Sequence, residues 1–230
     1  MTDRTTKTTL NELFARIGRA LASPRRIELL DLLAQAERSV ESLAIESDMS
    51  VTLASSHLQV LRRARLVETR RDGARIYYRL ADDDVYALLA ALRAVAHDRL
   101  AEVEEVVQAY FGAPDELEPV RREELVRRAT VGDVIVLDLR PPGEYAAGHI
   151  PGAISIPLDE LEARSALLPP DVEVVAYCRG PYCVLAPRGV ALLQGRGFRA
   201  RRLEDGFPEW RLAGLPVAVG SDPGGPLTAR

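Results

Sequence analysis

Residues 50–80 read SVTLASSHLQVLRRARLVETRRDGARIYYRL, and this stretch decides what the first half of the chain builds. Ser50 offers a hydroxyl to cap a helix, and Leu53, Val60 and Leu61 then turn apolar side chains toward a core. Two strand-like runs follow, Leu66 to Arg70 and Arg75 to Leu80, joined through Arg71-Asp72-Gly73-Ala74. Asp-Gly between such runs is a strong hairpin signal. Seven arginines (62, 63, 65, 70, 71, 75 and 79) stand in this segment against two acids, Glu68 and Asp72. From Asp82 to Glu118 the balance reverses, with two arginines against ten acids. The whole chain carries a formal net charge of -4, so one basic segment sits in an acidic protein. Only Lys7 is a lysine, so 29 of the 30 cations are arginines. Genomic base composition alone produces such a skew, and only the clustering of arginine carries weight.

Upstream, Leu10, Leu13, Phe14, Ile17 and Leu21 recur at helical spacing. Ser23-Pro24 punctuates the chain before a second stripe of Ile27, Leu30 and Leu33, and a short helix, Val40 to Glu46, follows. Downstream, a long amphipathic stretch from about Val85 to Tyr110 ends at Gly112-Ala113-Pro114. The rhythm then changes. Val134-Ile135-Val136-Leu137 and Val172-Glu173-Val174-Val175-Ala176 are short β-branched runs, each followed by loop and helical pattern, which argues a parallel α/β sheet. The expected organisation is a multi-domain chain. Residues 1–112 form a helical domain with a β-hairpin, 113–118 a linker, 119–220 an α/β domain with a parallel sheet, and 221–230 a flexible tail. At 47% hydrophobic and 28% charged residues the composition is globular and excludes a wholly disordered chain. Arg93 interrupts the longest apolar candidate, Val85 to Ala96, and the opening MTDRTTKTTL lacks an apolar signal core. The expectation is a cytoplasmic protein with no membrane contact.

A capped helix preceded by a short helix and a tight turn, and followed by a basic hairpin, reads as a winged helix-turn-helix. Such a module needs side chains that hydrogen-bond to base edges and flanking cations that neutralise phosphates. Thr52, Ser55, Ser56, His57 and Gln59 supply the first, and Arg62, Arg70, Arg71 and Arg75 the second. Ala20 to Leu80, through ALASPRRIELLDLL, HLQVLRRARLVETRR and GARIYYRL, resembles the ArsR/SmtB family of bacterial repressors. The resemblance implies a homodimer, with the first helix and the Val85–Tyr110 helix packing across a two-fold axis, and repression by occupying a palindromic double-stranded operator. That family often senses metals. Its thiolate motif, ELCVCDL, corresponds here to Glu37-Arg38-Ser39-Val40-Glu41-Ser42-Leu43, with Ser39 and Glu41 at the cysteine positions. Its second site would need Asp-x-His and further ligands on the last helix. Asp84 and His97 fit, but Tyr86 and Leu100 replace the other two. Two ligands of four do not hold zinc specifically, so no metal is expected.

In the second half, Val174-Val175-Ala176-Tyr177-Cys178 is a strand ending in a cysteine, followed by Arg179-Gly180-Pro181-Tyr182-Cys183 and a helix from Val184. A cysteine so placed meets loop N–H groups and a helix N-terminus, which stabilise a thiolate and lower its pKa below about 8.5. Pro181 has no N–H, so residues 179, 180, 182 and 183 are the expected donors, with the Arg179 cation beside the sulfur. This half resembles a single-domain rhodanese. The matching stretches are Val136 to Arg140, Glu144 to Ala153, the Cys178 loop and Leu203 to Trp210. The resemblance implies that Cys178 takes a sulfane sulfur from a donor and passes it to a thiol acceptor. No cofactor is implied beyond the sulfur carried covalently on Cys178. Many members carry glycine at the third position after the cysteine, whereas here Gly180 comes one earlier, followed by Pro181. The candidate catalytic set is Cys178, Arg179, Gly180, Tyr182 and Cys183. Cys183 either fills the last position of the loop or attacks the sulfur on Cys178, and both readings stand at this point.

The combination points to a transcriptional regulator whose rhodanese-like half senses or handles sulfane sulfur. The rival is a thiosulfate- or mercaptopyruvate-type sulfurtransferase in which the helix-turn-helix half serves as a dimeriser. A metal- or arsenical-responsive repressor is disfavoured by the missing thiolates.

Overall fold

The computed structural model describes residues 3–111, 119–222 and 227, and the chain divides into two compact units, Met1–Ala91 and Leu92–Arg230. The expected linker, 113–118, lies outside the described residues, as does the expected tail apart from residues 221, 222 and 227.

The first unit begins with α1 (Asp3–Leu21) and α2 (Pro24–Gln35), where Pro24 at the first helical position fixes the start of α2. A two-residue strand β1 (Arg38–Ser39) leads into α3 (Val40–Glu46) and then α4 (Val51–Arg63). Ser50 caps α4 as expected, accepting from the Leu53 N–H, and Ser39 caps α3 in the same way, accepting from the Ser42 N–H. Arg65, at φ 61°, ends α4 in the left-handed region, with the Leu66 N–H reaching back to the Leu61 carbonyl at 3.0 Å. That turn aims the chain into β2 (Val67–Asp72) and β3 (Arg75–Leu80). The hairpin loop is tighter than the sequence suggests. Asp72 pairs with Arg75, leaving Gly73 and Ala74 as a two-residue turn, and Gly73 takes φ 59°. β1 adds to the outer side of β3, giving the antiparallel order β1-β3-β2. Leu29, Leu30, Leu33, Leu43, Leu58, Leu61, Tyr78 and Tyr86 close the core.

The last helical stretch is not continuous. It forms α5 (Asp83–Arg99) and α6 (Ala101–Phe111), and the unit boundary falls within α5. Neither glycine nor proline marks the break at Leu100, so periodicity alone reads straight through it.

The second unit is an α/β fold. α7 (Arg122–Thr130), β4 (Val134–Asp138), α8 (Pro142–Ala147), β5 (Ile154–Ser155), α9 (Leu158–Arg164) and a short 3-10 turn precede β6 (Glu173–Tyr177). α10 (Leu185–Gly195), β7 (Ala200–Arg202) and α11 (Phe207–Leu212) follow. The four strands run parallel in the order β5-β4-β6-β7, so the strand that delivers Cys178 is central. Among the described residues no helix is long and apolar enough to cross a membrane.

A charged pair lies sealed beneath the carboxyl ends of β4 and β6. Arg140 and Asp138 have fully buried side chains 2.6 Å apart, and the Tyr177 hydroxyl donates to the same carboxylate at 2.5 Å. Arg140 also donates to the Gly148 carbonyl at 2.7 Å and lies 4.3 Å from the centre of the Phe207 ring. Burial by itself disfavours the guanidinium charge, but Asp138 outweighs that, and the Arg140 pKa is raised. Removing one partner of such a pair strands the other charge. Asp138→Ala is therefore expected to cost the second unit about 3–5 kcal/mol. Urea unfolding followed through Trp210, the single tryptophan and fully buried in this unit, checks it. An unchanged midpoint would contradict the assignment.

Candidate functional site

Two sets of residues carry chemistry, one in each unit. In the first unit, α4 buries Ala54, Leu58 and Leu61, which turns Thr52 and Ser56 outward as exposed side chains and leaves Ser55, His57 and Gln59 half-buried. Arg62 at the end of the helix and Arg70, Arg71 and Arg75 on the hairpin are exposed. The helix and hairpin thus bring the predicted set onto one element pair, but two members are already engaged. The Gln59 amide donates to the Tyr78 hydroxyl at 3.2 Å. Arg70 pairs with Glu37 at 2.6 Å and lies over the Tyr77 ring. Arg71 only reaches its own turn, donating to the Gly73 carbonyl at 3.1 Å. At the metal-matched positions, Ser39 caps α3, Tyr86 is buried in the core, and His97 lies 3.8 Å from Glu104. No group of three or more His, Cys, Asp or Glu able to hold a metal ion occurs among the described residues.

In the second unit the loop 178–183 runs from the end of β6 to the start of α10. Cys178 is 2% exposed, and its Sγ lies 3.6 Å from the Cys183 carbonyl and 3.8 Å from the Gly180 carbonyl. Cys183 is half-buried and packs against the same apolar cluster. The loop closes on itself through the Cys183 N–H and the Gly180 carbonyl at 3.1 Å. Consequently the expected set of donors is redistributed. The backbone of Gly180 and Ala186 favours the Cys178 thiolate, and that of Leu185 and Arg179 the Cys183 thiolate. Tyr182 stands outward, 37% exposed.

Arg179, the cation expected beside the sulfur, is also tied to a carboxylate. Its guanidinium grips Glu144 of α8 through both Nε, at 3.1 Å, and Nη2, and the Glu144 side chain is itself 1% exposed. Its charge still favours the Cys183 thiolate. On the opposite flank, the Phe207 N–H donates to the Cys178 carbonyl at 3.0 Å. A Cβ on Gly206 would meet the Gly180 nitrogen at 2.2 Å, so only glycine lets α11 approach the loop. Glu144 and Gly206 are thus site residues that the cysteine motif alone missed. Their signal lay in the two neighbouring stretches, Glu144 to Ala153 and Leu203 to Trp210.

The order of ionisation is the reverse of the sequence expectation. Burial above all, and then the neighbouring Cys183 sulfur, pushes the Cys178 thiol well up. The hydrogen bond from Cys178 above all pulls Cys183 down to about 6, assisted by the loop amides and the Arg179 charge. Near neutrality the pair holds one proton between two sulfurs.

Comparison with known proteins agrees with this two-part layout. Residues 23–69 match the bacterial regulatory protein, arsR family, and residues 121–213 match the rhodanese-like domain. The chain is 49% identical over 218 residues to the HTH-type transcriptional regulator Rv0324 of Mycobacterium tuberculosis, covering 95% of this chain and 96% of that protein. A sulfurtransferase of Allochromatium vinosum is 35% identical over 93 residues, 40% of this chain and 86% of that protein. Among solved structures, the winged helix-turn-helix DNA-binding domain of Mb0332 from Mycobacterium bovis, described as homodimeric, is 48% identical. It covers 44% of this chain and 91% of that one, with a TM-score of 0.40.

The inverted ionisation order has a measurable sign. Cys183 is ionised above its pKa of about 6, so its alkylation rate is expected to rise through that pH and level off by neutrality. Cys178 reacts later and at higher pH. Since the hydrogen bond from Cys178 is the main cause, Cys178→Ala should return the Cys183 midpoint toward its ordinary range. Peptide mass spectrometry of iodoacetamide-treated protein across pH reads both, and faster labelling of Cys178 would refute the order.

Proposed function

This chain belongs to the arsR family of bacterial regulatory proteins and is a transcriptional regulator joining a helix-turn-helix domain to a rhodanese-like one, and on that premise we propose that sulfane sulfur, taken up on Cys178 as a persulfide, is the signal it converts into a change of operator occupancy. The observation that carries the reading is that both thiols of the chain sit in one short loop at the end of a central strand and pack in one apolar cluster. The metal-matched positions of the first unit, by contrast, hold a helix cap and a core tyrosine.

In this reading α4 enters the major groove, with Thr52, Ser55, Ser56, His57 and Gln59 toward base edges. Arg62, Arg70, Arg71 and Arg75 meet phosphates on either side, Arg70 exchanging Glu37 for the backbone. The working species is a homodimer. Its support is the apolar surface left open on two helices, Leu10, Leu13 and Phe14 on α1 and Leu88, Leu92 and Val95 on α5, a pattern that marks an interface. A sulfane-sulfur donor and a thiol acceptor are the small-molecule partners, and the sulfur itself is the only group carried.

Two measurements test the proposal. Arg71→Ala and Arg75→Ala are each expected to weaken binding to every sequence and to shallow the log–log salt dependence by about one unit. An unchanged slope in both removes the wing from the interface. Fluorescence anisotropy with DNA from the chain's own promoter region, using reduced and polysulfide-treated protein, reads the coupling. A shift of about 1–3 kcal/mol in the wild type, absent in Cys178→Ser, is the expected result. Persulfidation with steady thiosulfate or mercaptopyruvate turnover and no operator affinity would instead favour the sulfurtransferase whose helix-turn-helix half only dimerises.

A further inference from the structure

Cys178 and Cys183 are the only cysteines of the chain. They stand at the two ends of one short loop and pack in one apolar cluster, with Cys178 Sγ 3.6 Å from the Cys183 carbonyl. Cys183 is the more accessible of the two, half-buried where Cys178 is 2% exposed.

We propose that Cys183 is a resolving thiol, which attacks the Cys178 sulfur once that carries a sulfane sulfur and closes a disulfide across the loop. The inference rests on the persulfide reading of Cys178 and adds what becomes of the persulfide. In the first step the Cys178 thiol gives its proton to the Cys183 thiolate and attacks the sulfane sulfur of the donor. The Cys178–sulfur bond forms, the donor's own bond to that sulfur breaks, and the donor leaves as its thiolate and takes the proton from Cys183, which is again a thiolate. In the second, the Cys183 thiolate attacks Cys178 Sγ. The new Sγ–Sγ bond forms, the bond from Cys178 Sγ to the outer sulfur breaks, and the outer sulfur leaves with the electron pair as hydrosulfide. The two thiols are together oxidised by two electrons, and the donated sulfur is reduced from the sulfane to the sulfide level, so no other oxidant is required. Holding both sulfurs in one loop makes this attack intramolecular, which favours it over capture by a dilute external thiol. A thiol reductant resets the loop. The signal stored by the protein is then a disulfide, which lasts after the donor is consumed.

The test uses the full-length protein, fully reduced, given inorganic tetrasulfide and then desalted. Intact mass under non-reducing conditions is read beside a hydrosulfide assay. The wild type is expected to end about 2 Da lighter than the reduced chain, with about one equivalent of hydrosulfide released per chain and reversal by dithiothreitol. Cys183→Ser is expected to stop at the persulfide, about 32 Da heavier. A wild type that remains about 32 Da heavier, with Cys183 still open to alkylation, overturns the resolving role and leaves the persulfide reading standing. Absence of any adduct in Cys183→Ser together with an unchanged wild type overturns both. The wild-type mass alone decides the first point, so the result does not depend on how well the variant folds.

Discussion

A guanidinium sealed from water at the carboxyl ends of parallel strands persists only while a carboxylate faces it, and the second unit is organised around that requirement. Asp138 ends β4 and Arg140 follows two residues later, so the sheet itself delivers both charges to one spot. The remaining capacity of the pair is satisfied by groups that matter for the site. Tyr177, the residue before Cys178, donates to Asp138. Gly148, after α8, accepts from Arg140, and Phe207 of α11 offers its ring face. Three segments that flank the cysteine loop are thus tied to one buried pair. An unpaired charge in this place costs far more than any surface contact contributes, so the position of Cys178 follows from a constraint in the core.

The two units handle arginine in opposite ways. On α4 and the hairpin, Arg62, Arg71 and Arg75 are exposed and their charge is available at distance, screened by salt. In the second unit the important arginines are committed. Arg140 serves Asp138, and Arg179 is gripped by the nearly buried Glu144. Arg179 therefore acts on the loop by fixing its backbone and by its field. One abundant residue type fills two roles, and burial decides which.

How much of this was legible in the sequence depended on range. The Ser50 cap, α3 and α4, the basic hairpin and the cysteine at the end of a strand all follow from patterns within a few residues, and the structure has them. The two-residue Gly73-Ala74 turn differs because strand pairing extended past the residues that looked like loop. The break at Leu100 left no mark in periodicity, and β5 and β7 are too short to show a pattern of their own. At the site, the loop motif located both cysteines but not their protonation. That order depends on the burial of Cys178 and on amides from α10, which are set only when the chain packs. Gln59 likewise looked free in the sequence because its partner, Tyr78, is nineteen residues away. Glu144 is thirty-five residues from Arg179, and no local reading pairs them.

The contact between Gly206 and Gly180 has a mechanical consequence. With a Cβ excluded there and the Phe207 amide fastened to the Cys178 carbonyl, α11 is pressed against the loop with no slack between them. A change in the shape of the loop would meet the backbone of that helix before any soft side chain. α11 carries Trp210, whose indole N–H is anchored to the Pro216 carbonyl at 2.8 Å. The single indole of the chain thus sits on the helix that is fastened to the cysteine loop.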